Sequence, residues 1–276
     1  MTSDLNKFSE LKKRLFSALL GASVIISSIV WSEWTYFLVF FTICILAQWE
    51  FYRLVRIQDY LPIRFWGVFI GGLLFILTFF IERGDLDGKY LFLLFPLASV
   101  IFIFKLYKKD DPNPFVNIAL FYLGISYVAL PFALINIIVF ADGDYTYQIL
   151  LGLMLIIWSS DTGAYFAGTA FGKTKLFERI SPKKSWEGSL GGALVATGLA
   201  YIAATYFDRL NLWEWLIIAA IVVVAGTYGD LVESHFKRSM SIKDSGNSIP
   251  GHGGFLDRFD SLILAVPFIV VFLKLL

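Results

Sequence analysis

The chain is built from apolar blocks, each about as long as a bilayer crossing. A spanning helix needs about 20 apolar residues. Nine segments approach that length, roughly 15–32, 34–55, 63–81, 89–107, 115–140, 147–171, 188–207, 212–232 and 256–274. Inside lipid every backbone polar group must find its partner within the chain, which leaves only helices and closed barrels. Runs this long, without alternation of polar and apolar residues, read as helices. Composition agrees. The chain is 58% hydrophobic and 16% charged, against about 45–50% and ~25% for a soluble domain. The expected fold is therefore all-α, a polytopic integral membrane protein with about nine transmembrane helices. Pro131 in the fifth block predicts a kink or a tilt. Cys44, the lone cysteine, lies in an apolar block, so an intramolecular disulfide is excluded and a buried thiol expected. Lys12-Lys13-Arg14 resembles the start of a signal peptide, but no small-residue cleavage site follows. The first block is expected to remain as a span.

Basic residues set the expected orientation. With the N-terminus in the cytoplasm and the chain alternating, about 19 of the 23 lysines and arginines fall on the inner side. The outer side keeps only Arg83, Lys89, Arg209 and Lys274. That is the positive-inside pattern. It places the 172–188 and 233–255 loops together on the cytoplasmic face. The chain divides by composition into residues 1–145, about five spans with ordinary linkers, and residues 146–276, about four spans carrying the polar features. A net charge of +1 says little about partners, and no nucleic-acid partner is expected.

Charge inside these segments is costly and marks function by default. Asp161 interrupts the sixth block, followed by small residues at Gly163, Ala164, Ala167, Gly168 and Gly172 that would let a second helix approach closely. The run SPKKSWEG, Ser181 to Gly188, has two readings. Lys183, Lys184 and Trp186 suit an interfacial anchor. The same lysines suit a grip on phosphates, and the local sequence leaves both open. Asp230 and Glu233 share a helix face at the end of the eighth block, and Asp257 and Asp260 share one at the start of the ninth. Between them lie Lys237, Arg238, Lys243, Asp244 and a glycine-rich turn with His252. Two carboxylate pairs joined by a short basic loop can converge. Hard oxygen donors suit Mg²⁺, and the basic groups suit the phosphates it would carry. Gly251, Gly253 and Gly254 allow close backbone approach, and the helix start behind them offers free N–H groups to an anion. This is a layout for phosphoryl or nucleotidyl transfer.

The run S-x-F-K-R-x4-K-D-x-G-x2-I-P-x-H-G-G-F-x-D-R-F-D, Ser234 to Asp260, resembles the signature of the phosphatidate cytidylyltransferases, also called CDP-diacylglycerol synthases. SPKKSWEG is similar to the family's SPKKTWEG, with Ser185 keeping the hydroxyl. The D-T-G-A-Y-x-x-G run from Asp161 resembles the family's sixth-helix motif. Together the resemblance covers roughly residues 158–260. It implies that CTP and phosphatidate give CDP-diacylglycerol and pyrophosphate, in a cytoplasm-facing cavity of an all-helical membrane protein that forms homodimers. It implies Asp230 and Asp257 as Mg²⁺ ligands, with K⁺ beside the Mg²⁺. Asp161, Asp244 and Asp260 are carried over as further ligands or as groups orienting the cations. Lys237, Arg238, Lys243 and Arg258 would neutralise the lipid phosphate and the leaving pyrophosphate. His252 completes the catalytic set, and Lys183, Lys184, Ser185 and Ser234 fall in the motifs as substrate-binding residues. A single polytopic chain of this kind suits a bacterial inner (plasma) membrane. Two other readings fit parts of the pattern. A CTP-dependent polyprenol kinase would release CDP. A cation-coupled transporter would need polar groups spread across the membrane, and here they gather on one face.

Overall fold

The computed structural model describes the backbone of residues 2–56, 63–242, 246 and 253–276, and within these the side chains from residue 17 onward. A helix occupies each of the expected blocks. α1 is Thr2–Trp31, α2 Glu33–Val55 and α3 Arg64–Glu82. A 3₁₀ turn, Gly88–Leu93, leads into α4, Leu94–Leu106. α5, Pro114–Leu123, and α6, Leu130–Val139, form one long rod joined by a π-helical turn, Gly124–Ala129. α7 is Gln148–Phe171, α8 Trp186–Tyr206, α9 Leu212–Ile221, α10 Thr227–Ser239 and α11 Leu256–Leu275. A second π-helical turn, Val222–Gly226, joins α9 to α10. Among the described residues, seven helical segments are long and apolar enough to cross a membrane. α11 has the length but carries Asp257, Arg258, Asp260 and Lys274. The apolar part of α1 with described side chains is Ser17–Trp31.

The all-α expectation has one local exception. Residues Lys175–Phe177 (β1) and Ser181–Ser185 (β2) pair as a short antiparallel hairpin between α7 and α8. The eighth block also runs further than its hydropathy suggested, because α10 continues to Ser239. Its last turns are charged on one face only, so the helix outlasts its apolar stretch.

Local chemistry sets the boundaries. α2 starts in a reciprocal cap: Thr35 N–H donates to Ser32 Oγ (3.2 Å) and Ser32 N–H donates to Thr35 Oγ1 (3.1 Å). At the start of α9, Asn211 N–H donates to Glu214 (2.6 Å). Pro131, which has no N–H, stands in the first turn of α6 just after the π-helical turn. In place of the kink or tilt expected at Pro131, the structure has a widened turn immediately before it.

α7 and α8 make the closest helix pair, and small residues are the reason. A methyl on Gly192 would fall 2.8 Å from the Ser160 carbonyl oxygen, and one on Gly188 would fall 3.0 Å from that of Ala164. The Gly163–Gly168 stripe is thus a packing surface. One apolar core runs from Ile29 on α1 through Phe40, Phe75, Phe132, Leu153, Ala196 and Trp215 to Ile269 on α11. Cys44 is buried in it. Two polar clusters at this depth are paired. Asn136 takes a hydrogen bond from Tyr36 Oη (2.8 Å) and donates to the Phe75 carbonyl (3.1 Å) and to Thr78 (2.8 Å). At the α4–α5 corner, Lys105 and Asp111 form an ion pair (2.5 Å) with side chains 2% and 1% exposed, and Asn117 donates to the same carboxylate (2.6 Å).

Candidate active site

The C-terminal ends of α2, α7 and α10 and the N-terminal ends of α8 and α11 meet at one end of the bundle. Phe51 on α2 stacks on Phe236 of α10, with ring centroids 5.2 Å apart and planes 14° apart. Glu50, buried one position earlier, accepts the Leu256 N–H at 2.9 Å and so caps the first turn of α11. Gly229 lets α10 and α11 touch, since a methyl there would lie 2.5 Å from the Asp260 carbonyl oxygen.

Five carboxyls gather where these ends meet. Asp230, Glu233 and Lys237 lie on one face of α10 because their spacing is three and four residues. Asp230 is ion-paired with Lys184 at the tip of β2, and Ser261 Oγ lies 3.1 Å from its other oxygen. The Asp260 carboxyl stands beside that of Asp230, and its Oδ1 accepts the Ser261 N–H at 2.8 Å. Asp161 on α7 is exposed and interacts electrostatically with Asp230, Lys184 and Arg258. Glu233 and Asp257 share Lys237, which reaches Asp257 at 2.6 Å. Asp257 is further held by the Gly254 N–H (3.0 Å). Gly253 has φ +84°, and a methyl there would sit 2.7 Å from Asp257, so this turn requires glycine.

The hairpin explains residues that an interfacial anchor left unexplained. Ser185 is buried, and its hydroxyl accepts the Gly188 N–H (3.2 Å) to start α8. Glu187 accepts the N–H groups of Lys173 and Thr174, each at 3.1 Å, closing the base of the hairpin. Of the two lysines, Lys184 turns inward onto Asp230 and Lys183 stays exposed.

A profile of the cytidylyltransferase family matches residues 12–276. A protein of Haemophilus influenzae named phosphatidate cytidylyltransferase is 34% identical, covering 95% of this chain and 98% of that protein. Proteins of the same name from Staphylococcus haemolyticus and Staphylococcus aureus are 36% and 37% identical, each over 64% of this chain and 68% of theirs. The chain belongs to the cytidylyltransferase family.

Within this cytidylyltransferase the predicted site residues other than Lys183 and Ser185, already placed on the hairpin, fall into three groups. Asp161, Lys184, Asp230, Lys237, Asp257 and Asp260 come together. Arg238 and Arg258 are exposed beside them, and Ser234 is half-buried on α10. Lys243, Asp244 and His252 lie outside the described residues. The pairing differs in detail from the sequence pattern. Asp260 is the carboxyl against Asp230, and Asp257 stands with Glu233 across Lys237. Among the described residues no three acidic, histidine or cysteine side chains form a ready metal cage. Mg²⁺ does not require one, because it is commonly bound by one or two carboxylates with water and substrate phosphates completing the shell. The donor set fits it: hard carboxylate oxygens, five acids against Lys184, Lys237 and Arg258. Sequence reasoning missed Glu50. The signal was available, since Glu50 is a carboxylate inside an apolar block as Asp161 is.

Proposed function

We propose that this cytidylyltransferase uses phosphatidate, joining the cytidylyl group of CTP to it and forming CDP-diacylglycerol and pyrophosphate. A phosphatidate oxygen attacks the α-phosphorus of CTP, and the bond from that phosphorus to the β-phosphate oxygen breaks. The observation that carries the reading is the convergence of Asp230, Asp257 and Asp260 with Lys184 and Lys237 at one end of the bundle. The nucleophile is already ionised near neutral pH, so a strong general base is not required. The difficulty is to bring two anions together. Asp230 and Asp257 would hold Mg²⁺, with Asp260 behind Asp230. When bound, the ion neutralises phosphate charge and stabilises it at the α-phosphorus. Lys184 and Lys237 hold the carboxylates in place, and Arg258 and Arg238 extend positive charge to the rim for the lipid phosphate and the leaving pyrophosphate. Glu50 fixes the start of α11 and with it Asp257.

The same reading places the site on the cytoplasmic face of a bacterial inner membrane, with the N-terminus inside. All four basic residues expected on the outer side are matched by acids: Arg83 by Glu33, Lys89 by Asp87, Arg209 by Asp142 and Lys274 by Glu82. The site end keeps the excess of lysine and arginine, as the positive-inside rule requires. CTP would reach it from the cytoplasm and phosphatidate from the leaflet. The test is to supply purified protein in detergent with CTP and phosphatidate, with and without Mg²⁺. Metal-dependent formation of both pyrophosphate and CDP-lipid is expected. CDP release with a polyprenol, and no product from phosphatidate, would replace the synthase reading with a kinase.

A further inference from the structure

We propose that Tyr127, in the N-terminal half, is a substrate-contacting residue whose hydroxyl donates a hydrogen bond to a phosphate oxygen of a bound substrate; this rests on the function proposed above. Four tyrosine hydroxyls are informative here. Tyr36 donates to Asn136 (2.8 Å), Tyr52 to the Phe121 carbonyl (2.7 Å) and Tyr145 to the Ile29 carbonyl (2.7 Å). The Tyr127 hydroxyl is buried and has no partner among the described residues. Leaving such a group unpaired costs about 1–3 kcal/mol, and unpaired buried groups in native folds call for an explanation.

Its surroundings supply one. Tyr127 sits on the π-helical turn Gly124–Ala129, a geometry that often marks functional sites. The turn is pinned from α2: the Gln48 amide donates to the Gly67 carbonyl (3.0 Å) and the Gly124 carbonyl (3.4 Å), and Gly124 packs on the Tyr52 ring. The Tyr127 ring packs beside Phe51, whose other neighbour is Phe236 on α10. So held, Tyr127 is in electrostatic reach of Asp260, Glu233 and Asp230. The carboxylate oxygens there are largely committed, to Lys184, Ser261, Lys237 and the Gly254 N–H. Glu233 Oε1 is also buried without a partner. An unpaired donor thus stands beside an acid cluster built for phosphate-bearing substrates, and a phosphate oxygen is the acceptor such a substrate brings.

Tyr127→Phe removes the hydroxyl and keeps the ring. Steady-state turnover would be measured with CTP and with phosphatidate varied in turn, alongside melting temperatures with and without CTP and Mg²⁺. The expected result is a loss of about 10-fold or more in kcat/KM, the scale of one hydrogen bond to a charged acceptor. The melting temperature of the free protein should be unchanged or higher, and the CTP-induced shift smaller if the contact is to CTP. A raised KM for CTP alone would place the contact on the triphosphate, and for phosphatidate alone on the lipid phosphate. Tyr145→Phe, on the loop between α6 and α7, is the control: it removes a partnered hydroxyl and should lower the melting temperature without moving either KM. Unchanged kinetic constants in Tyr127→Phe, with or without a drop in melting temperature, would overturn the inference. An inactive wild type would overturn the proposed function and this inference with it, a result distinct from equal activity in both proteins.

Discussion

Two ionic clusters in this molecule, one buried and one partly open, differ in balance. At the α4–α5 corner, Lys105 is paired with Asp111, whose oxygens are further satisfied by Asn117 and the Asn113 N–H. Among the described residues, the partners seen here come from within about a dozen residues of the same corner. At the α2–α7–α10–α11 junction, Asp161, Asp230, Glu233, Asp257 and Asp260 face Lys184, Lys237 and Arg258. Among the described residues of this junction, acids outnumber bases and two buried polar atoms, on Glu233 and Tyr127, lack partners. A balanced buried pair is a staple that the fold completes for itself. An unbalanced cluster needs something from outside, and a cation with phosphate-bearing ligands supplies both the missing charge and the missing acceptors.

The contrast can be broken by exchanging the consequences of mutation. Lys105→Ala strands a buried carboxylate and should cost about 3–5 kcal/mol of stability, read by denaturant unfolding in detergent, while turnover per folded molecule is kept. Asp230→Asn should do the opposite. Turnover should fall about 10²–10³-fold, the scale of losing one electrostatic stabiliser of the transition state, while the melting temperature stays close to wild type. Gly152→Ala sharpens the comparison by perturbing neither cluster. Its methyl would run into the fully buried Trp215 ring, so overpacking should cost about 1–3 kcal/mol with normal KM values. The smallest effect expected is a pH dependence at the staple. Burial pushes the Asp111 carboxyl up, but Lys105, the Asn113 N–H and Asn117 together outweigh it and hold it below the ordinary value. A depressed carboxyl stabilises the fold fully above the ordinary value of about 3.9 and loses that contribution as pH falls through its lowered value. Melting temperature followed from about pH 6 to about pH 3 should therefore fall less steeply in Asp111→Asn than in wild type.

The helices were legible because hydropathy and length act locally. The block expected at 34–55 is Glu33–Val55, that at 147–171 is Gln148–Phe171, and that at 256–274 is Leu256–Leu275. The hairpin was not legible, since SPKKS lacks the alternation of a buried strand and is held by Glu187 and by the Lys184–Asp230 pair instead. The acid and lysine positions of the site could be read because charge is rare in apolar blocks. Their partners could not. Lys184 meets Asp230 across 46 residues, and Glu50 meets Leu256 across 206. Tyr127 carries no local mark at all: an aromatic in an apolar block reads as core until the fold leaves its buried hydroxyl without a partner among the described residues, within electrostatic reach of the acids.

The most direct measurement is CDP-lipid formation per folded molecule, with CTP, phosphatidate and Mg²⁺, for Asp230→Asn and Lys105→Ala side by side. Asp230→Asn should be folded and nearly inactive, and the surviving folded fraction of Lys105→Ala should turn over at the wild-type rate. A folded Asp230→Asn with wild-type turnover would contradict this, because the unbalanced cluster would then not be where the chemistry occurs.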